Sequence, residues 1–167
     1  IIGIPNHGQL RIGDTLTQGE ALRVSDIPSF APELLQSCRA ADPLKSKHLE
    51  KALMQFAEEG AAKVFRPNIG SGFIIGVIGS LQFDVLASRI ELEYGLPVRF
   101  EASQFNSARW VSGNKIDLDK FSSENKQHIA IDHDNDLVFL TRLQWDIDRV
   151  ERDYPKINLT ATKEMMS

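Results

Sequence analysis

The chain has 167 residues, 42% hydrophobic and 25% charged, which is enough for one ordinary domain or two small ones with a buried core. A net charge of −4 argues against a bulk polyanion binder but leaves room for local basic faces. A single cysteine, Cys38, excludes an internal disulfide and fits a reducing compartment, and no apolar run approaches the roughly 18 residues of a membrane helix.

Taken in chain order, residues 1–27 read as short strands and turns. Asn6-His7-Gly8 is a turn signal, Leu10 and Ile12 alternate with Arg11, and Gly13-Asp14 marks the next turn. The piece is too short to close its own sheet. The chain opens on Ile1 rather than Met, so it is expected to be part of a longer protein. Pro28 and Pro32 in "DIPSFAPELL" stiffen a connection, and a strand is expected from about Leu34 to Arg39.

Between Lys45 and Glu59 the apolar residues Leu49, Leu53 and Phe56 fall on one helical face, with Gly60 as the C-terminal cap. "AAKVFRP" and "FIIGVIG" read as a hairpin about the turn "NIGSG". Ser80 is placed to cap a helix whose face is Phe83, Ala87, Ile90 and Tyr94, and Gly95 ends it. "LPVRFEA" is the next strand. The order strand, helix, strand, strand, helix, strand is that of the ferredoxin-like split βαβ arrangement.

The rest reads as a smaller α/β unit, and no internal repeat or low-complexity tract appears along the chain. Asp117 is the expected N-cap of "KIDLDKFSSENK", and "HIAID" and "LVFLTRL" flank the turn "HDND". A helix from about Gln144 to Tyr154 presents Leu143, Ile147, Val150 and Tyr154, Pro155 stops it, and "INLTA" is the last strand. The predicted fold class is therefore α+β. A β-barrel remnant (1–27) precedes a ferredoxin-like unit (28–110) and a C-terminal α/β unit (111–167). Charge is uneven: Cys38–Arg66 has six basic and four acidic side chains, and Asn114–Ser167 has eight basic and eleven acidic.

Several motifs fail on their chemistry. Gly8 and Gly13 have Walker spacing, but Asp14 stands where the phosphate-binding lysine is required. "DHDND", Asp132–Asp136, begins like a calcium loop, yet Leu137 and Leu143 occupy the glycine and glutamate places, so a solvated turn is expected. His7, His48, His128 and His133 have no metal-ligand spacing. Cys38 reads as a small core residue, and Ser71 sits in a hairpin turn rather than a nucleophile elbow. No catalytic, cofactor-binding or metal residue is expected. What remains is basic and aromatic interleaving: Arg66, Arg99 and Arg109 on one side of a sheet, with Phe65, Phe100 and Trp110 behind them. The candidates for gripping RNA backbone or a protein loop are Arg66, Arg99, Arg109 and Trp110.

The segments also carry a resemblance. "GQLRIGDTLTQGE" is similar to the end of the second-domain β-barrel of translational GTPases, and "FAPELL" to the start of their third domain. "LEKALMQFAEEGAAKVFRP", "GSLQFDVLASRIELEYG" and the tail "ARWVSGNKIDLDKFSSENK" to "RDYPKINLTATKE" resemble bacterial peptide chain release factor three. The resemblance implies a cytoplasmic, ribosome-dependent GTPase of translation termination that promotes release of class I release factors. GTP or GDP and Mg would bind an N-terminal domain outside this chain, leaving no cofactor here. The implied partners are a small-subunit protein and ribosomal RNA, with no role on DNA or a membrane. Two alternatives stay open: another translational GTPase, elongation-factor-like or a ribosomal protection protein, and a stand-alone RNA-binding module. The aromatic stacking motif of the latter is not visible on "AKVFRP" or "FIIGVIG".

Overall fold

The computed structural model describes residues 18–19 and 29–163. The expected barrel remnant therefore lies outside the described residues, apart from residues 18–19. Strand β1 (Ser29–Phe30) opens the described fold, followed by β2 (Leu34–Ala40). A 3-10 turn at Pro43–Lys45 leads into α1 (Ser46–Glu58). The hairpin β3 (Lys63–Pro67) and β4 (Phe73–Val77) comes next, then α2 (Leu81–Tyr94) and β5 (Val98–Ala102).

The strand order β5-β2-β4-β3, antiparallel throughout, is the split βαβ order expected from the sequence. Both helices end as their glycines dictate. After α1, Gly60 (φ 70°) donates to Ala57 O, and Ala61 donates to Phe56 O, which is the Schellman arrangement. Gly95 (φ 63°) closes α2. Leu49, Leu53 and Phe56 of α1 and Phe83, Leu86 and Ile90 of α2 pack on Cys38, Val64, Phe73, Ile75 and Val77 of the sheet. The buried stripe of α2 includes Leu86 rather than Ala87, because a core-facing stripe uses i+3 as well as i+4 positions.

The second half repeats this order. β6 (Ser107–Ser112), α3 (Lys115–Glu124), β7 (Ile129–Ile131), β8 (Leu137–Thr141), α4 (Gln144–Asp153) and β9 (Asn158–Thr160) pair as β7-β8-β6-β9. That is the same split βαβ order, so the smaller unit has the topology of the first. The expected division at 110/111 runs through β6. Neighbouring residues there face different cores: Trp110 joins one apolar cluster and Val111 the other.

The two units are joined edge to edge by corresponding strands. β3 and β7 pair antiparallel, Arg66 opposite Ile131 and Pro67 opposite Ala130, giving one eight-stranded sheet β5-β2-β4-β3-β7-β8-β6-β9. The alternation of side chains across this seam puts all four helices on one face. The other face supplies a single shared cluster: Leu35, Phe65 and Ile74 from the first unit with Ala108, Trp110, Ala130, Val138 and Leu140 from the second. A two-stranded ribbon, β1 with β10 (Thr162–Lys163), ties the start of the described chain to its end.

Three local expectations are corrected. Asn114, not Asp117, caps α3: its side-chain carbonyl accepts from the Asp117 N–H. Ser80 makes no capping side-chain bond. Instead Gln82 Oε1 accepts from the N–H groups of Ile78 and Gly79. The same device recurs in the second unit, where Asp146 Oδ2 accepts from Arg142 and Leu143. Leu143 is thereby held outside the core, 65% exposed, while Ile147 and Val150 carry the buried face of α4.

The shared cluster makes the units interdependent. Phe65→Ala removes a fully buried ring from it and is expected to cost about 3–5 kcal/mol. Urea unfolding followed by far-UV circular dichroism and by tryptophan fluorescence should give coincident, single transitions. Two separated transitions would show that the halves hold themselves up independently.

Candidate functional site

The densest polar arrangement among the described residues is built on the turn between β7 and β8. Asp132 directly follows β7, and its Oδ1 accepts the backbone N–H groups of Asp134 and Asp136, both at 2.9 Å. Asn135, at φ 67°, takes the left-handed position that short polar side chains tolerate. This curl brings three carboxylates to one point, and Lys163 of β10 occupies it. Its ammonium donates to Asp132 Oδ2 at 2.9 Å, to Asp134 at 2.7 Å, and to Asp136. Asp132 Oδ2 also accepts the indole N–H of Trp110 at 3.0 Å.

The expectation of a solvated turn fails at Asp132, which is 6% exposed. It is tolerated there because every face of its carboxylate is paired. Burial by itself would raise the Asp132 pKa. The Lys163, Trp110 and backbone hydrogen bonds outweigh it and hold the carboxyl below its ordinary value. Burial likewise opposes the charge on Lys163, but its three carboxylate partners win and raise its pKa. Lys63, which donates to Ser29 on β1, moves the other way: burial lowers its pKa, and the charge of Lys163 adds to that.

Ligand atoms of Asp132, His133 and Asp134 lie within 4.8 Å of one another, a metal-like grouping. A metal ion there would meet the Lys163 ammonium, so the turn serves as an anionic socket for an internal cation. What it does is mechanical. It fastens β10, and through β10 the strand β1, to the second unit.

Cys38 and His128 are both committed to the interior. Cys38 is fully buried, and burial pushes its thiol up to about 12, which suppresses the thiolate. His128 Nδ1 lies 2.8 Å from Leu140 O, and its ring stacks on Phe139.

A sequence profile of the class II release factor RF3 C-terminal domain matches residues 24–151. The chain belongs to this family. The match runs from before β1 into α4, so it takes in seven of the eight strands of the joined sheet, while β9 and Lys163 fall beyond it.

Within this release factor domain the four sequence candidates do not form one surface. Arg66 lies on the helix-bearing face and pairs with Glu50 of α1 at 2.8 Å. Arg109 shares that face, and its guanidinium donates to Ser107 Oγ and to Ala108 O. Arg99 alternates with Val98 and Phe100, which pack toward the helices, so it points to the opposite face. Trp110 is 7% exposed, committed to the shared cluster and to Asp132. One parity error separates the arginines: Arg66 and Arg109 are in phase with the helix-side residues of their strands, and Arg99 is out of phase. Sequence reasoning missed Lys163 and Asp132. The available signal was a tryptophan in a strand, whose N–H needs a buried acceptor.

The socket gives a pH signature. Asp132 is more acidic in the folded than in the unfolded chain. It therefore contributes stability above the ordinary aspartate value of 3.8, and that stability is lost as pH falls below it. Lys163→Met is expected to cost about 2–3 kcal/mol at neutral pH, less than a wholly buried pair because Asp134 and Asp136 are half exposed. Asp132→Asn should flatten the loss of stability between about pH 5 and pH 2. Urea midpoints across that range check both, and an unaltered acid limb in Asp132→Asn would remove the socket from the stability account.

Proposed function

We propose that this domain is the ribosome-binding C-terminal module of a termination GTPase, and that it relays nucleotide state into the release of class I release factors. The observation that carries the reading is the family match, which spans the first half of the joined sheet and β6, β7 and β8 of the second. The architecture suits it. Two split βαβ units share one sheet and one apolar cluster, so they transmit force as a single body rather than as a string of flexible modules. The β1–β10 ribbon and the Lys163 socket fix where the chain enters that body. Motion of a preceding GTP-binding domain then reaches the ribosome without being absorbed at the junction.

On this reading GTP, GDP and Mg belong to the preceding domain, and the module contributes contacts and rigidity rather than a catalytic group. Its partners are small-subunit protein and ribosomal RNA in the cytoplasm, with class I release factors as functional partners on the ribosome. No helix among the described residues is long and apolar enough to cross a membrane.

Co-sedimentation tests the proposal. The chain should pellet with purified ribosomes, and it should bind no labelled GTP above background. In the full-length protein, Lys163→Met should weaken ribosome-stimulated GTP turnover or class I factor release by more than it weakens ribosome binding, since it loosens the junction and leaves the surface intact. Failure of the chain to bind ribosomes at any salt concentration would sink the proposal.

A further inference from the structure

Among the described residues, the sheet carries an unpaired arginine couple at its outer edge. Arg39 on β2 and Arg99 on β5 stand directly opposite each other in the antiparallel register. Directly opposed residues place their Cβ atoms about 5 Å apart on the same face, where like charges repel. Both side chains are exposed, and neither makes an ion pair or a side-chain hydrogen bond to any described residue. The other described arginines all have partners: Arg66 pairs with Glu50, Arg89 with Glu59 and Glu93, and Arg152 with Asp153, while Arg109, Arg142 and Arg149 donate to neutral acceptors.

The couple is also positioned. Arg39 lies against the β3–β4 turn at Gly72, which has φ 102°. A Cβ on Gly72 would stand 2.9 Å from Arg39 Cγ and 3.0 Å from Cys38 O, so the turn reserves the space that the arginine stem uses. Arg99 sits on β5, the last strand of the sheet, whose outer edge is open among the described strands. The facing groups on this part of the sheet are Ser37, whose hydroxyl donates to Glu101 O, and the Glu101 side chain, which is exposed.

We propose that Arg39 and Arg99 form a two-guanidinium clamp for the phosphate backbone of RNA. The inference rests on the ribosome-binding reading and names a contact site within it. Two planar, permanently charged forks side by side match phosphate oxygens, and the repulsion between them is relieved only when a dense anion arrives. A nucleic-acid backbone supplies such a line of charge, while an isolated carboxylate satisfies one fork at a time. Glu101 opposes binding from the rim, and its removal strengthens it.

The test is ribosome binding by the 167-residue chain across a salt series. Arg39→Gln/Arg99→Gln should lower affinity and reduce the slope of log K against log salt by about 2, one for each phosphate contact. Arg39→Lys/Arg99→Lys should keep most of the slope and lose part of the affinity, while Glu101→Gln should bind more tightly. Arg152→Ala, which removes an exposed arginine already paired elsewhere, should match the wild type. Circular dichroism melts confirm that the exposed substitutions leave the fold intact. Glu101→benzoylphenylalanine, irradiated on the ribosome, should cross-link to ribosomal RNA. Cross-links to protein alone would overturn the clamp in favour of an acidic protein surface. Unchanged affinity and slope in Arg39→Gln/Arg99→Gln would overturn it while leaving the ribosome-binding reading standing. A wild-type chain that fails to bind ribosomes would overturn both.

Discussion

The structure depends on the seam between β3 and β7. A split βαβ unit standing alone exposes the edge of its second strand, an open row of backbone donors and acceptors that invites unwanted pairing. Here each unit covers the other's edge. The seam itself is short: two register pairs, extended by the Asn68 N–H to Ile129 O bond at 2.8 Å. Pro67 lacks an N–H, which limits the ladder further. Backbone hydrogen bonds alone would hold it weakly. The apolar cluster behind it does most of the holding, because Phe65 and Ala130, both fully buried, flank the seam on the face opposite the helices.

That arrangement explains why the second unit needs a charged fastening and the first does not. The first unit has helices of 13 and 14 residues and a large two-helix core. The second has two helices of 10 residues and closing strands of only three residues. With less apolar area to bury, it relies more on specific polar contacts. The Asp132 socket links Trp110 in the shared cluster to Lys163 on the terminal ribbon. Replacing that network with apolar groups of similar shape need not destabilise the fold. Breaking one partner would, since a buried carboxylate left behind has nowhere to go. The retained charge fixes one register for β10 and, through Ser29 opposite Lys163, one register for β1.

The first unit was legible in the sequence because its signals are local. Apolar spacing in α1, the glycines after both helices and the glycine-rich hairpin turn all act within a few residues. The second unit was read only as an α/β piece, because what defines it is long-range. β6 must pair with β8 and with β9, whose residues lie from 28 positions away in sequence (Trp110–Val138) to 50 (Trp110–Thr160). The parity of the arginines was the decisive miss. Basic and aromatic residues alternate in "VRFEA" and "ARWV" alike. Yet in β5 the aromatic faces the helices and in β6 it faces away from them, a difference set by where each strand sits in the sheet. Trp110 was a binding candidate because it follows Arg109 in the same interleaved pattern. Its acceptor lies 22 residues away, in a turn that composition alone marks as solvated.

The two faces of the sheet divide the work. The helix-bearing face satisfies its own arginines: Arg66 and Arg89 are spent on Glu50, Glu59 and Glu93, so they brace helices against each other and against the sheet. The opposite face is apolar at the seam and basic at its far edge, where Arg39 and Arg99 are held together against their mutual repulsion. Such a pair has a cost in the free state, which the proposed phosphate contact would offset. The seam makes that contact useful. A contact at β5 is made at one end of an eight-stranded sheet, and the ribbon that receives the incoming chain is anchored on the second unit. Force applied at one end of a continuous, doubly cored sheet is carried to the other as motion of the whole, which is what the proposed relay between a nucleotide-binding domain and a ribosome requires.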